Sequence, residues 1–240
     1  MADPYTDPVT GVLRNRLGFT DAAELSAAER EISALAEMQL GERPVRGGFD
    51  LAHLREVHRR LFEQVYPWAG QLRSVAIAKR NLFCLPQYIE SESGRVFGQL
   101  AGESALRGLG RDRFVDRTTY YLSEVNAIHP LREGNGRAQR VFFTQLAEQA
   151  GWRLDFSGTD QRENVAASVA SFDGDPVPLR DVLDRAVVGT VDPVAEGNRR
   201  AVTGLRRARG TQPAPGRHVG PTGCRPGRPG PGREDRGYDR

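Results

Sequence analysis

Twelve consecutive residues, His129-Pro130-Leu131-Arg132-Glu133-Gly134-Asn135-Gly136-Arg137-Ala138-Gln139-Arg140, bring together a base, a carboxylate, two glycines and several guanidinium groups. An imidazole ordinarily titrates near neutrality, so His129 is a residue type able to accept a proton during a reaction at physiological pH. Pro130 fixes the turn behind it. Gly134 and Gly136 permit positive φ and remove Cβ atoms, so successive N–H groups at a helix start can converge on an anion. Arg137 and Arg140 lie three positions apart on that helix, which points both guanidinium groups to one side, within reach of phosphate oxygens. Glu133, beside two arginines, reads as a Mg²⁺ ligand rather than a phosphate contact.

Other chemistries lack their residues. Lys79 is the only lysine and follows no glycine-rich loop, so there is no Walker A site. There is no HExxH, and His53 and His58, five apart on a helix, splay away from a shared metal; they read as core. The Gly134-x-Gly136 pair lacks the third glycine of a dinucleotide fingerprint and follows a helix rather than a strand. Cys84 has no His or Asn neighbour to activate it, and Trp68, Phe142, Phe143 and Trp152 read as core.

The elements that must hold this segment are helical. Thr20-Asp21 caps an amphipathic helix over 22–38 with Leu25, Ile32 and Leu35 on its apolar side. Asp50 caps a second, in which Leu51, Leu54, Val57, His58, Leu61 and Phe62 share a face. Residues 74–78 and 82–85, separated by Lys79-Arg80-Asn81, predict a short hairpin and the only strand pair. Helical spacing returns over 89–106, over 114–128 and over 137–150, with one or two short helices in 164–188 broken at Gly174-Asp175-Pro176. The expected fold class is an all-α bundle with one short β-hairpin.

The 240 residues suit one domain with an appendage. From Arg199 onward there are 11 Arg against 3 acids, a net +8, which leaves −5 of the chain's +3 for residues 1–198. Nine Gly and six Pro in the same stretch leave little to build a core from. The expected division is a folded domain over 1–195 and a disordered Gly/Pro/Arg-rich tail over 196–240. Its basic charge is set down to a bias of Arg over Lys, and nucleic acid is not expected as a partner. Cys84 and Cys224 are 140 positions apart and suggest neither a disulfide framework nor a metal site. The N-terminus has no apolar h-region and no run of about 18 apolar residues occurs, so a cytoplasmic protein without membrane attachment is expected.

Residues 129–140 resemble the Fic motif, HxFx(D/E)GNGRxxR, departing from it only at Leu131, where the family has phenylalanine. His58-Arg59-Arg60-Leu61-Phe62, followed by Tyr66-Pro67-Trp68-Ala69-Gly70-Gln71-Leu72-Arg73, is similar to the segment that precedes the family's flap, and Asp3-Pro4-Tyr5 and Leu13-Arg14-Asn15 resemble the start of many Fic domains. The resemblance covers about residues 3 to 190. It implies a Fic-type helical bundle whose activity is protein adenylylation. His129 would deprotonate a Ser, Thr or Tyr hydroxyl as it attacks the α-phosphorus of ATP, and pyrophosphate would leave. Glu133 would hold Mg²⁺. Gly134, Asn135 and Gly136 would bind the α- and β-phosphates, and Arg137 and Arg140 the β- and γ-phosphates. Lys79, Arg80, Asn81, Leu82 and Phe83 would form the flap that docks the target by strand addition. A leucine at position 131 fills similar apolar space at modest cost.

The same resemblance raises regulation. An inhibitory helix of pattern (S/T)xxxE(G/N) restrains many Fic proteins through a Glu that pairs with the second motif arginine, here Arg140. Neither Thr20 to Glu24 nor Asp192 to Glu196 matches it fully. A separate small antitoxin is therefore expected as partner beside the target protein, with an internal helix bearing Glu196 as the rival. A toxin role follows from likeness to stand-alone bacterial Fic proteins. Two alternatives are a Doc-like phosphotransferase, disfavoured because that branch carries lysine where Gly136 stands, and a catalytically silent nucleotide-binding module.

Overall fold

Asp21 accepts N–H bonds from Ala23 and Glu24 at 2.8 and 2.9 Å and starts α1 (Ala22–Glu42). Asp50 does the same for α2 (Leu51–Phe62) through the N–H of His53. The chain is described by a computed structural model over residues 3–78 and 82–191. Onward run α3 (Ile89–Gly102), α4 (Arg111–Ile128), α5 (Asn135–Ala150), strand β1 (Trp152–Leu154), α6 (Gln161–Phe172), α7 (Val177–Ala186) and strand β2 (Val187–Thr190). The all-α expectation holds.

The core forms around α5, which packs against α2, α4 and β1 and buries Ala138, Val141, Phe142, Phe143, Leu146 and Ala147. The face foreseen for α2 is buried, with Leu54, Val57, His58, Leu61 and Phe62 all at 1% exposure or less and Leu51 half-buried at its rim. On α4, the foreseen Phe114, Tyr121, Leu122, Val125 and Ile128 are buried too. Of the four foreseen core aromatics, Trp68, Phe142 and Phe143 are buried and Trp152 is half-buried.

Four expectations need correction. The strand pair among the described residues is β1 with β2, antiparallel, with Trp152 opposite Thr190. Among the described residues the foreseen hairpin shows one antiparallel bridge, Ala78 to Leu82, and an N–H bond from Phe83 to the carbonyl of Ile77 at 3.1 Å. Val75 and Cys84 of its two runs are tied to the end of α4 through Arg73 and, for Cys84, directly to the Ala127 carbonyl. On α1, Leu35 is 62% exposed and Ile32 only half-buried, while Glu29 and Ser33 are buried beside Leu25. Polar residues were turned inward there because they meet Arg137 of α5. Finally, α3 stops at Gly102, and Ser104, Ala105 and Leu106 take positive φ.

Residues 79–81, Glu196 and the whole basic tail lie outside the described residues. No described helix is long and apolar enough to cross a membrane.

Candidate active site

Helix α4 ends at His129, which takes left-handed geometry (φ 48°, ψ 59°) while its N–H still bonds the Val125 carbonyl at 3.0 Å. That conformation costs a non-glycine residue roughly 1 kcal/mol or more, so the surroundings must impose it. They do so through Arg73, whose Nε donates to the His129 carbonyl at 2.7 Å and whose backbone N–H donates to the Pro130 carbonyl at 3.0 Å. The imidazole is aimed at a cleft, 8% exposed, and lies flat on the Phe83 ring with centroids 4.0 Å apart and planes 13° apart.

The loop from Pro130 to Gly134 is fastened from inside. Asn135 is 3% exposed; its Oδ1 accepts the Leu131 N–H at 3.0 Å and its Nδ2 donates to the Leu131 carbonyl at 2.7 Å. Leu131 is fully buried, filling the apolar space expected of it. Gly134 has φ +74°, and a Cβ there would sit 2.4 Å from the Phe62 ring, so glycine is demanded twice. Gly136 needs neither: it sits in the first turn of α5 without positive φ, and a Cβ would meet only an Arg140 nitrogen at 3.7 Å. α5 starts two residues earlier than periodicity suggests, which places Asn135 and Gly136 at its positive N-terminus.

His58 joins this loop to the chain ahead of Arg73. Gly70 donates its N–H to Nδ1 at 2.8 Å, which leaves the proton on Nε2 to donate to the Glu133 carbonyl at 3.0 Å. Burial drives its pKa down to about 4, so the ring is neutral. His53, also buried, pairs with Gln145 at 3.1 Å and its pKa is lowered by the same cause.

Arg137 lies on the Phe62 ring face, 4.8 Å from its centroid, and donates to Ser33 Oγ at 2.9 Å and to the Glu29 carboxylate. The Tyr66 hydroxyl donates to the other oxygen of Glu29. Burial, then that bond to Glu29, raises the Tyr66 pKa, so it remains a donor. Arg140 is half-buried; desolvation lowers its pKa, Glu37 of α1 opposes the shift and Arg137 adds to it.

His129, Glu133, Gly134, Gly136, Arg137 and Arg140 line one cleft of about 950 Å³, together with Phe83, Glu29 and Ser33 and one side of α6. Glu133 is half-buried there, with Oε1 accepting the Gly134 N–H at 3.0 Å. The foreseen site residues thus converge, except that the Asn135 side chain faces the loop rather than the cleft. Of the flap residues, Leu82 is 56% exposed and Phe83 lies on the histidine; Lys79, Arg80 and Asn81 are not described. Sequence reasoning missed Glu29, Ser33 and Tyr66, and the work of His58 and Arg73. The only local signal was on α1, where Leu25, Glu29 and Ser33 recur every fourth residue.

A buried histidine, a helix that starts after a glycine and two arginines on its first turns share one cleft in an all-α domain, an arrangement that can hold an anion next to a proton acceptor. The Fic/DOC family matches residues 48–147. The protein adenylyltransferase VbhT of Bartonella schoenbuchensis is 44% identical over 173 residues, which is 72% of this chain; the chain spans 36% of the length of VbhT. Sinorhizobium fredii y4lH, named a probable protein adenylyltransferase, is 41% identical over 187 residues, covering 77% of this chain and 96% of y4lH. A solved structure, the N-terminal Fic domain of a VirB-translocated Bep effector protein from Bartonella quintana with bound ADP, superposes with a TM-score of 0.74 at 26% identity, over 77% of this chain and 94% of that one. This chain belongs to the Fic/DOC family.

Proposed function

We propose that this protein is a protein adenylyltransferase, transferring AMP from ATP to a Ser, Thr or Tyr hydroxyl of a target protein with release of pyrophosphate. The observation that carries the reading is the shared cleft: the His129 imidazole opens onto the same space as the start of α5 and its two arginines. About 950 Å³ is ample for a nucleoside triphosphate, and relatives of 44% and 41% identity bear the adenylyltransferase name.

In the reaction, His129 accepts the hydroxyl proton of the target. The hydroxyl oxygen bonds to the α-phosphorus as the bond to the bridging α,β-oxygen breaks, and the electron pair leaves on pyrophosphate. Stacking on Phe83 keeps the imidazole from turning away. The N–H groups of Gly136 and its neighbours, at the positive end of α5, meet the phosphates, and Asn135 acts by holding that loop still. Arg137 and Arg140 neutralise charge on the β- and γ-phosphates.

Glu133 fits a Mg²⁺ ion: a single half-buried carboxylate on the cleft wall suits a cation that brings phosphate oxygens and waters as its other ligands. Such an ion supplies positive charge to the triphosphate. The flap, residues 79–83, receives the target segment, a small antitoxin restrains the enzyme, and the setting is a toxin acting in the cytoplasm, where ATP is available. A Glu196 helix is the internal rival to the antitoxin.

The test is transfer of label from α-³²P-ATP to protein in a susceptible cell extract, with intact mass of the labelled band. A gain of AMP that disappears in His129→Ala and in EDTA supports the reading. A gain of phosphate alone, or no gain with ATP still bound, sinks it.

A further inference from the structure

Arg73 is 2% exposed and faces two structures that the transfer needs in register. On one side its guanidinium donates to the carbonyls of His129 at 2.7 Å and Ile128 at 3.2 Å. On the other it donates to the carbonyls of Val75 at 2.7 Å and of Cys84, which flank the Ala78 to Leu82 bridge. Main-chain bonds run the same way: the Arg73 N–H reaches the Pro130 carbonyl at 3.0 Å and the Cys84 N–H the Ala127 carbonyl at 3.2 Å.

The chemistry explains why an arginine occupies this place. The last carbonyls of a helix have no partner within it and carry the negative end of its dipole. Here the cation that meets them has carbonyls as its hydrogen-bond acceptors among the described residues. Serving four carbonyls in several directions takes the five N–H groups of a planar guanidinium; a lysine ammonium has three. The Phe83 ring that lies on His129 is carried by the residue next to Cys84, whose N–H and carbonyl are bonded to Ala127 and Arg73.

We propose that Arg73 is a positioning residue for the transfer step, locking the segments around the Ala78 to Leu82 bridge to the end of α4 so that the His129 imidazole and the edge that docks the target hold one register. The inference rests on the AMP-transfer reading. A role in folding alone is the rival, and the two part on which quantity is lost.

The decisive variant is Arg73→Lys, which keeps the charge and loses the fork. Transfer to the protein target should fall about 30- to 100-fold in kcat, the size expected of a small misplacement at the reacting centre. The Kd for ADP should stay within about 3-fold, and every folded chain should still bind one ADP. A fall in activity matched by a fall in ADP-binding stoichiometry overturns the proposal, as does a kcat within about 3-fold of wild type. The unaltered chain provides a second measurement should the variant not fold. Corrected for intrinsic rates, the amides of Arg73, Cys84 and His129 should exchange hydrogen at one common opening rate, because one clamp holds them. Cys84 exchanging more than about 30-fold faster than His129 overturns it. If the wild-type chain labels no protein, the AMP-transfer reading fails by itself, and hydrogen exchange still judges the clamp.

Discussion

Glu29, buried on α1, pairs with the half-buried Arg137 of α5, and the Tyr66 hydroxyl donates to the second oxygen of Glu29. Arg137 is also the arginine proposed to meet nucleotide phosphate, so the carboxylate holds it in place and at the same time weakens its field in the cleft. Glu29→Gln keeps the shape and removes the charge. ADP should then bind about 5-fold tighter, a change of about 1 kcal/mol for one charge removed nearby at protein-like dielectric. The fold should lose about 1–3 kcal/mol, since Arg137 is left without its counter-charge. Calorimetric titration and urea unfolding give both numbers; weaker ADP binding would refute the argument.

The two motif glycines should respond differently. Gly134→Ala places a methyl 2.4 Å from the fully buried Phe62 ring at φ +74° and should cost about 2–4 kcal/mol with loss of transfer. Adding Phe62→Leu, which removes the clashing ring atoms, should recover part of the stability. Gly136→Ala has room and ordinary helical φ, so stability should hold or rise by up to about 1 kcal/mol while ADP affinity drops. Equal destabilisation by both alanines would contradict this.

Asn135→Ala deletes both bonds to Leu131 and leaves its N–H and carbonyl unmet in a buried loop. About 2–4 kcal/mol should be lost. Asn135→Asp keeps the acceptor for the Leu131 N–H but turns a carboxylate against the Leu131 carbonyl, and should be no more stable. Urea midpoints decide; an aspartate variant as stable as wild type would show that the side chain is not spent on the loop.

His58 predicts a pH dependence. Its folded pKa of about 4 lies below the ordinary 6.5, so between those values the unfolded chain binds more protons than the folded one. Stability therefore rises with pH across that window, and acidification from 6.5 to 4 should remove about 3 kcal/mol through this residue. His53, shifted the same way by burial, adds to the slope. His58→Gln, whose amide can still donate to the Glu133 carbonyl, should flatten the dependence measured by urea unfolding at pH 7 and pH 5. An unchanged slope would mean that His58 is not the titrating group.

The sequence by itself determined what is local. Asp21 and Asp50 cap helices because a side-chain oxygen two or three residues ahead of an N–H needs no partner from elsewhere. The chemistry of 129–140 was legible for the same reason: base, carboxylate, glycines and arginines follow one another around a single helix start. The tertiary structure alone decided what comes from afar. Glu29 meets Arg137 across 108 positions and His58 meets the Glu133 carbonyl across 75, and no spacing rule links such pairs. β1 and β2 pair only because α6 and α7 return the chain between them, while the described residues of 74–85 are tied to Arg73 and the end of α4 by bonds at Val75 and Cys84. Buried polar groups must find partners wherever the fold supplies them, and here those partners are what aim the histidine and the arginines.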